Sequence, residues 1–195
     1  MELAERIRTR RSVQVYEDRP VPPGLIEELL DAAVWAPNHH LTQPWRFVVV
    51  HGEGRRRIAQ ANRLLAEQDP APAGSGATEQ ERRAQRGETA YARMMSVPAF
   101  VVVAMAEDPR PMPRLEDLVA TSCVLQNFLL LAAERGLGVA VKSYGVMYHP
   151  AFRQALGIMP GESVIAVLQV GYPGVIPAAR PRRAAAEVMR IVDTA

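Results

Sequence analysis

The side chains that could do chemistry in this chain gather in three places. Near the start, Arg8, Arg10, Arg11 and Ser12 bring guanidinium forks and a hydroxyl close together. Planar forks and hydroxyls suit the oxygens of a phosphate, which they bind through paired, charge-assisted hydrogen bonds. The same residues close an amphipathic stretch, where cations on a solvated face also complement a helix dipole. Near the other end, Arg180-Pro181-Arg182-Arg183 is a second basic run. Alone it reads as a solvated patch. Two such runs in a chain of formal net charge +2 could also grip one phosphate from two sides. The third place is Trp35-Ala36-Pro37-Asn38-His39-His40-Leu41-Thr42-Gln43-Pro44-Trp45-Arg46-Phe47. A loop this rich in histidine, amide and tryptophan is a candidate binding surface rather than a plain connection. Adjacent histidines share no helix face and lack the spacing of metal ligands, so His39 and His40 point to stacking or hydrogen bonding and not to a metal site.

These groups must be positioned by the elements between them. Residues 2–10 have the pattern of a short helix and 12–16 of an extended segment. Pro20, Pro22 and Pro23 lead into a second helix, which Pro37 stops close to residue 36. Phe47-Val48-Val49-Val50 is a buried strand, 51–54 a turn, and the following helix runs through Leu65. Residues 69–78 are small, polar and rich in proline and glycine, and read as a mobile loop before a charged surface helix over 79–93. The region of about 62–95 is therefore an excursion, with the composition of a lid or of an arm at a dimer edge. Val97–Met105 is a second strand. Leu115–Arg135 is a helix apolar nearly all round, which calls for burial against its own core and a partner subunit. Gly136-Leu137-Gly138 ends it, and Val139-Ala140-Val141-Lys142-Ser143 is a third strand. A short helix over 150–156 and a strand over 163–170 follow. The proline-rich tail of 173–195 cannot build a core and is expected to lie along another surface. The strand runs are continuous rather than alternating, so the sheet is covered on both faces and the class is α+β or mixed α/β.

Several functions are disfavoured. With 195 residues, 48% of them hydrophobic, the chain suits one domain over 1–195. Its single cysteine, Cys123, sits in an apolar helix as a core residue and fits a reducing cytoplasm. No apolar run approaches the roughly 20 residues of a membrane span, and the start of the chain lacks the pattern of a secretory signal. There is no GxGxxG after a strand, no phosphate loop, and no nucleophile elbow around Ser12 or Ser143. Aromatics make up 6% of residues, too few for a nucleic-acid stacking platform.

Taken in order, Arg10-Arg11-Ser12-Val13, Ala36-Pro37, Gln43-Pro44-Trp45-x-Phe47, Gln126-Asn127-Phe128-Leu129-Leu130-Leu131-Ala132-Ala133, Gly136-Leu137-Gly138 and Gly171-Tyr172-Pro173 with the basic tail span nearly the whole chain. The set resembles the nitroreductase family of flavin-dependent oxidoreductases, and most closely its small, minimal bacterial members. The resemblance implies an α+β fold with a central, mainly antiparallel sheet under helices on both faces. It also implies an intertwined homodimer with one FMN in each of two interface sites. Arg10, Arg11 and Ser12 match the segment for the FMN phosphate and ribityl chain, and Arg180 and Arg182 the tail's basic pair at that phosphate. His39 matches a histidine that meets the flavin from the partner chain, Gln43 the motif amide, and Trp35 faces the cofactor or the dimer. Val141, Lys142 and Ser143 match the strand end at the isoalloxazine ring. The implied activity passes a hydride from NAD(P)H through FMN to nitroaromatic or quinone-type acceptors by a ping-pong mechanism. The flavin carries the chemistry, no side chain is catalytic, and Lys142 lends electrostatic support. Enone reduction, dehalogenation, flavin-ring cleavage and non-catalytic flavin binding are the alternatives on the same scaffold. The chain departs from the family pattern at Leu41, where an asparagine is common, and at Gln14, where a lysine is. Val141 and Lys142 stand where tryptophan or arginine is more usual.

Overall fold

The computed structural model describes residues 2–69 and 78–193. Its helices are α1 (Leu3–Thr9), α2 (Pro23–Ala33), α3 (Arg55–Gln68), α4 (Glu79–Met95), α5 (Pro111–Glu134) and α6 (Pro150–Ala155). Its strands are β1 (Val15–Tyr16), β2 (Trp45–His51), β3 (Ala99–Ala106), β4 (Gly138–Lys142), β5 (Glu162–Gly171) and β6 (Pro173–Val175). The main sheet has the order β2-β3-β5-β4 with every pair antiparallel, and β1 and β6 form a separate antiparallel ribbon.

Strand β3 explains why the apolar runs do not alternate. All of its residues from Ala99 to Met105 are buried. Ala99, Val101 and Val103 face a core shared with Ile26 and Leu29 of α2 and Val124 and Phe128 of α5. Phe100, Val102 and Ala104 face a second core with Ile58 and Ala59 of α3 and Phe152 of α6. With both faces covered, every position on the strand gains from being apolar, by roughly 1.5–3 kcal/mol for a fully buried large side chain.

Helix α5 begins earlier than its apolar periodicity predicts, at Pro111 rather than Leu115. Proline is tolerated in a first turn because the amides there have no intrahelical acceptor to lose. Among the described residues α5 is the one helix long and apolar enough to cross a membrane by length and composition. The uncharged run within it, Leu118–Ala133, remains shorter than the roughly 20 residues of a membrane span. The helix lays Val124, Phe128 and Ala132 on the sheet and leaves Met112, Leu115, Leu118 and Val119 exposed. It is thus less buried within one protomer than its composition predicts.

The charged excursion is a helical hairpin. Gly87 of α4 passes so close to α3 that a Cβ there would stand 2.5 Å from Glu67 Oε1. Arg63 ties Glu67 to Glu88 across the pair, and Arg86 donates to the carbonyls of Ala66 and Asp69. Thr78 and Glu81 close a reciprocal cap at the start of α4. The loop expected to be mobile falls mostly on 70–77, outside the described residues.

One ion pair spans the sheet. Arg46 on β2 donates from Nε and Nη2 to the two carboxylate oxygens of Glu162 on β5, at 2.6 and 2.5 Å, and Met159 N–H adds a bond at 2.7 Å. The hydrogen bond from Arg46 holds the Glu162 carboxyl below the usual glutamate range. Its folded pKa lies below its unfolded one, so the stabilisation is complete above the unfolded value, near pH 4.3, and is lost as pH falls through the folded value. The urea midpoint of the wild type should therefore drop below about pH 4.3, and Glu162→Gln should flatten that part of the profile. Parallel wild-type and variant profiles through acid would contradict this role.

Candidate functional site

The start of β4 is built to receive the segment that follows α1. Gly136, with φ +74°, turns the chain out of α5, and a Cβ on Gly138 would lie 2.6–2.8 Å from the Cβ and Cγ atoms of Val13. Glycine at 138 lets Val13 sit directly on β4, where Val13 N–H donates to Val139 O at 3.3 Å and Ser12 bridges Val139 in parallel. This contact sets Arg10 and Arg11 beside the α5–β4 turn. They line a cleft of about 250 Å³ together with Arg6, Gly138, Pro173 and Ile176.

The electrostatics of this cleft are one-sided. Burial pushes the Arg10 guanidinium below its usual value, and the charges of Arg11 and Arg182 push it further. The tail therefore returns Arg182 to the neighbourhood of Arg10, although the two residues are far apart in sequence. Among the described residues no carboxylate pairs with Arg10, Arg11 or Arg182. Arg11 donates to the carbonyls of Arg8 and Arg10 at 2.8 and 2.7 Å, and Arg182 to those of Arg180 and Pro181 at 3.1 and 3.2 Å. Arg180 contributes its carbonyl here, as Arg8 does. Guanidiniums gathered without an acid form a site for an anion with several oxygens.

A second group stands at the other end of β4. Lys142 Nζ donates to Gln14 Oε1 at 2.9 Å. The position where the family resemblance calls for a lysine is a glutamine that receives a lysine from the neighbouring strand. Burial lowers the Lys142 pKa, and the charge of Arg93 on α4 lowers it further. Ser143 is exposed beyond it, and Val141 on the other face of the strand is 45% exposed. Underneath, Gln169 Nε2 donates to Tyr144 Oη at 2.6 Å, and the Tyr16 hydroxyl donates to Val13 O at 2.6 Å. Burial raises the pKa of both tyrosines, so each keeps its proton and fixes its segment by that bond.

The third group is the loop before β2. His40, Leu41 and Gln43 have φ of 53°, 52° and 43°, a left-handed conformation that costs a non-glycine residue roughly 1–2 kcal/mol. Side-chain bonds hold it there. Asn38 Oδ1 accepts from Gln43 N–H at 3.1 Å, and Thr42 Oγ1 donates to Asp117 Oδ1 on α5 at 2.6 Å. Asp117 is buried, and its place in an apolar helix was the one available signal of this clasp, which the sequence reading missed along with Asn38 and Thr42. The His39 and His40 rings meet at 4.0 Å between centroids, tilted by 57°. His39 lines a groove of about 510 Å³ with Leu115, Val119 and Cys123 of α5. Cys123, expected in the core, is only half-buried and forms part of this surface. Trp35 is 88% exposed, whereas Trp45 packs against the α2–α5 core.

Within one protomer the expected site residues thus fall into separate places. Arg10 and Arg11 line the cleft at the start of β4, with the charge of Arg182 acting on Arg10, and Lys142, Ser143 and Gln14 gather at the strand's end. His39, with Trp35 and Gln43 in the adjoining stretch, belongs to the loop beside α5. The groove lined by His39 and the arginine cleft share no residue.

A sequence profile of the Nitroreductase family matches residues 7–172. The protein named "Putative NAD(P)H nitroreductase YfhC" of Bacillus subtilis (strain 168) is 34% identical over 181 residues, which are 92% of this chain and 89% of YfhC. A solved nitroreductase-like family protein from Bacillus cereus is 39% identical with a TM-score of 0.85, covering 100% of this chain and 97% of that one. The FMN-dependent nitroreductase NfnB of Mycobacterium smegmatis, solved in complex with NADPH, shares the fold at 21% identity, with a TM-score of 0.74 over 98% of each chain.

Proposed function

The chain belongs to the nitroreductase family, and from that premise we propose that it is an FMN-dependent oxidoreductase using NAD(P)H to reduce nitroaromatic or quinone-type acceptors by a ping-pong mechanism. The observation that carries the reading is the gathering of Arg10 and Arg11, with the charge of Arg182 acting on Arg10, without an acidic partner among the described residues, on the segment that Val13 docks against Gly138. Such a cradle fits a phosphate, and the fit is to a phosphomonoester with several free oxygens. Bound there, FMN would supply the redox-active ring that exchanges a hydride with the nicotinamide and the acceptor.

The remaining work belongs to the chain. Arg10, Arg11 and Arg182 would hold the phosphate, and the Ser12 hydroxyl and the carbonyl of Arg180 lie in the same two segments. Lys142, steadied by Gln14, would set positive charge at the ring's pyrimidine edge, where negative charge grows on reduction. Tyr16 and Tyr144 keep the 13–16 segment and the 143–145 turn in register with β5. His39, Trp35 and Gln43 would come to this site from a second copy. The exposed α5 face of Leu115, Leu118 and Val119 next to that loop supports such a homodimer.

An absorption spectrum with anaerobic titration tests the function. The purified protein should be yellow with flavin bands, bleach on adding NADH or NADPH, and regain its colour with a nitroaromatic or a quinone. A protein that stays colourless and takes up no added FMN would overturn the assignment. One that holds FMN without bleaching would be a flavin-binding protein and no reductase.

A further inference from the structure

We propose that Asp117 is a positioning residue for the loop that carries His39 and Gln43, and that it works as a two-position latch. It accepts from Thr42 while the loop is held in its left-handed form, and from Thr121 when the loop lets go. This deepens the oxidoreductase reading and, for its effect on the flavin site, rests on it; the latch itself is a property of the chain alone.

The loop does not hold its own shape. Glycine takes φ near +50° without a steric penalty, yet His40, Leu41 and Gln43 occupy that region here. Such conformations persist only where their surroundings over-determine them. Inside the loop, Gln43 N–H donates to Asn38 Oδ1 and Thr42 N–H donates to His39 O at 3.3 Å. Among the described residues, the one side-chain bond that leaves 38–43 for another element runs from Thr42 Oγ1 to Asp117 Oδ1 on α5, at 2.6 Å. An O–H···O distance this short is that of a charge-assisted bond.

The second position lies one turn along the same helix. Asp117 is 7% exposed and Thr121 0%, so both face the buried side of α5. Side chains four residues apart on a helix lie one above the other, close enough to bond. With the Asp117 carboxyl turned to the loop, Thr121 Oγ1 has no hydrogen-bond partner among the described residues. A helix threonine also has a ready acceptor in the carbonyl four residues back, and Thr121 leaves that one unused. An unsatisfied buried hydroxyl is a penalty carried by the held state. If Asp117 turns toward Thr121 as Thr42 departs, the penalty disappears and the buried carboxyl keeps a donor. The orphan hydroxyl therefore lowers the cost of release, and the strain in the loop drives the same way. Release frees His39 from the groove it lines with Leu115, Val119 and Cys123.

Hydrogen exchange at the Gln43 amide reads the latch on the full chain, with the amides of β3 as the reference for opening of the whole fold. Thr42 is exposed, so its variants leave the core intact. Thr42→Val should speed exchange at Gln43 at least about tenfold, as loss of one hydrogen bond to a charged group allows, and Thr42→Ser should restore the protection. Thr121→Val should slow it about threefold relative to β3, because it removes a donor that serves only the released state. That opposite sign separates a latch from a plain structural clasp, in which a side chain without a partner has no bearing on the loop. On the FMN-loaded protein, flavin release should follow the same order, fastest in Thr42→Val and slowest in Thr121→Val. If exchange follows this order and flavin release does not, the latch stands and the placing of His39 and Gln43 at the flavin falls. Exchange at Gln43 left unchanged by Thr42→Val, or not slowed by Thr121→Val, would overturn the proposal.

Discussion

Arg10→Glu should weaken FMN binding at least about a hundredfold while leaving riboflavin binding and the stability of the apoprotein intact. A charge-assisted hydrogen bond is worth roughly 1.5–3 kcal/mol, and reversing the charge adds repulsion from the phosphate; about 3 kcal/mol in all is a little over two decades in Kd. The apoprotein responds in the opposite sense. Arg10 is half-buried between the charges of Arg11 and Arg182, and both oppose its ionisation. A carboxylate at this position removes that repulsion and gains two cationic neighbours, so the urea midpoint should hold or rise. A site poised for an anion is in this way a local cost to the empty fold. Riboflavin has the same ring and ribityl chain without the phosphate. Fluorescence titrations with FMN and riboflavin therefore separate loss of the phosphate grip from general damage. If both affinities fell together, Arg10 would be supporting the ring or the fold instead.

What could be read in the sequence divides by range. Strand β3 was legible as a buried strand because its seven consecutive buried positions are apolar. Pro37 set only an outer limit on α2, expected to reach residue 36: the helix closes earlier, at Ala33 with Val34 as its cap. Arg10, Arg11 and Arg182 could be linked from the sequence, since each lies in a short motif and the two basic runs stand out in a nearly neutral chain. The Lys142–Gln14 bond joins residues 128 apart and belongs to no motif. Gln14 alone looked like a lost lysine. The clasp between Thr42 and Asp117 was hidden for a related reason: of the three left-handed residues it restrains, His40, Leu41 and Gln43, only histidine is a type enriched at positive φ, and one histidine does not mark three such positions. Cys123 was misread because an apolar helix predicts burial but does not say on which side.

If the chain assembles as the proposed homodimer, removing residues 180–195 should leave a monomer at micromolar concentrations, with FMN affinity reduced at least tenfold. Every described residue from Gly174 to Asp193 is exposed, including Ile176 at 67%, Val188 at 60%, Ile191 at 76% and Val192 at 79%. Fixing an extended backbone costs roughly 1–2 kcal/mol per residue, and within one protomer this tail buries nothing to offset it. The sheet has an edge that could take it up. Among the described residues strand β2 pairs only with β3, so its outer edge, seven residues long, is open to a further strand. Val188-Met189-Arg190-Ile191-Val192 is short, β-branched and apolar, as a strand added to that edge in a second copy would need to be. Arg182 lies between the tail's root at β6 and this segment, so the same excursion that reaches a partner also carries Arg182 past the arginine cleft. Light scattering after size exclusion measures the assembly, and a flavin titration measures the site. The double variant Ile191→Asp/Val192→Asp keeps Arg182 and should lose the dimer with a smaller loss of FMN affinity than the truncation. A truncated chain that remained dimeric and bound FMN as tightly as the full one would show that the tail serves neither purpose.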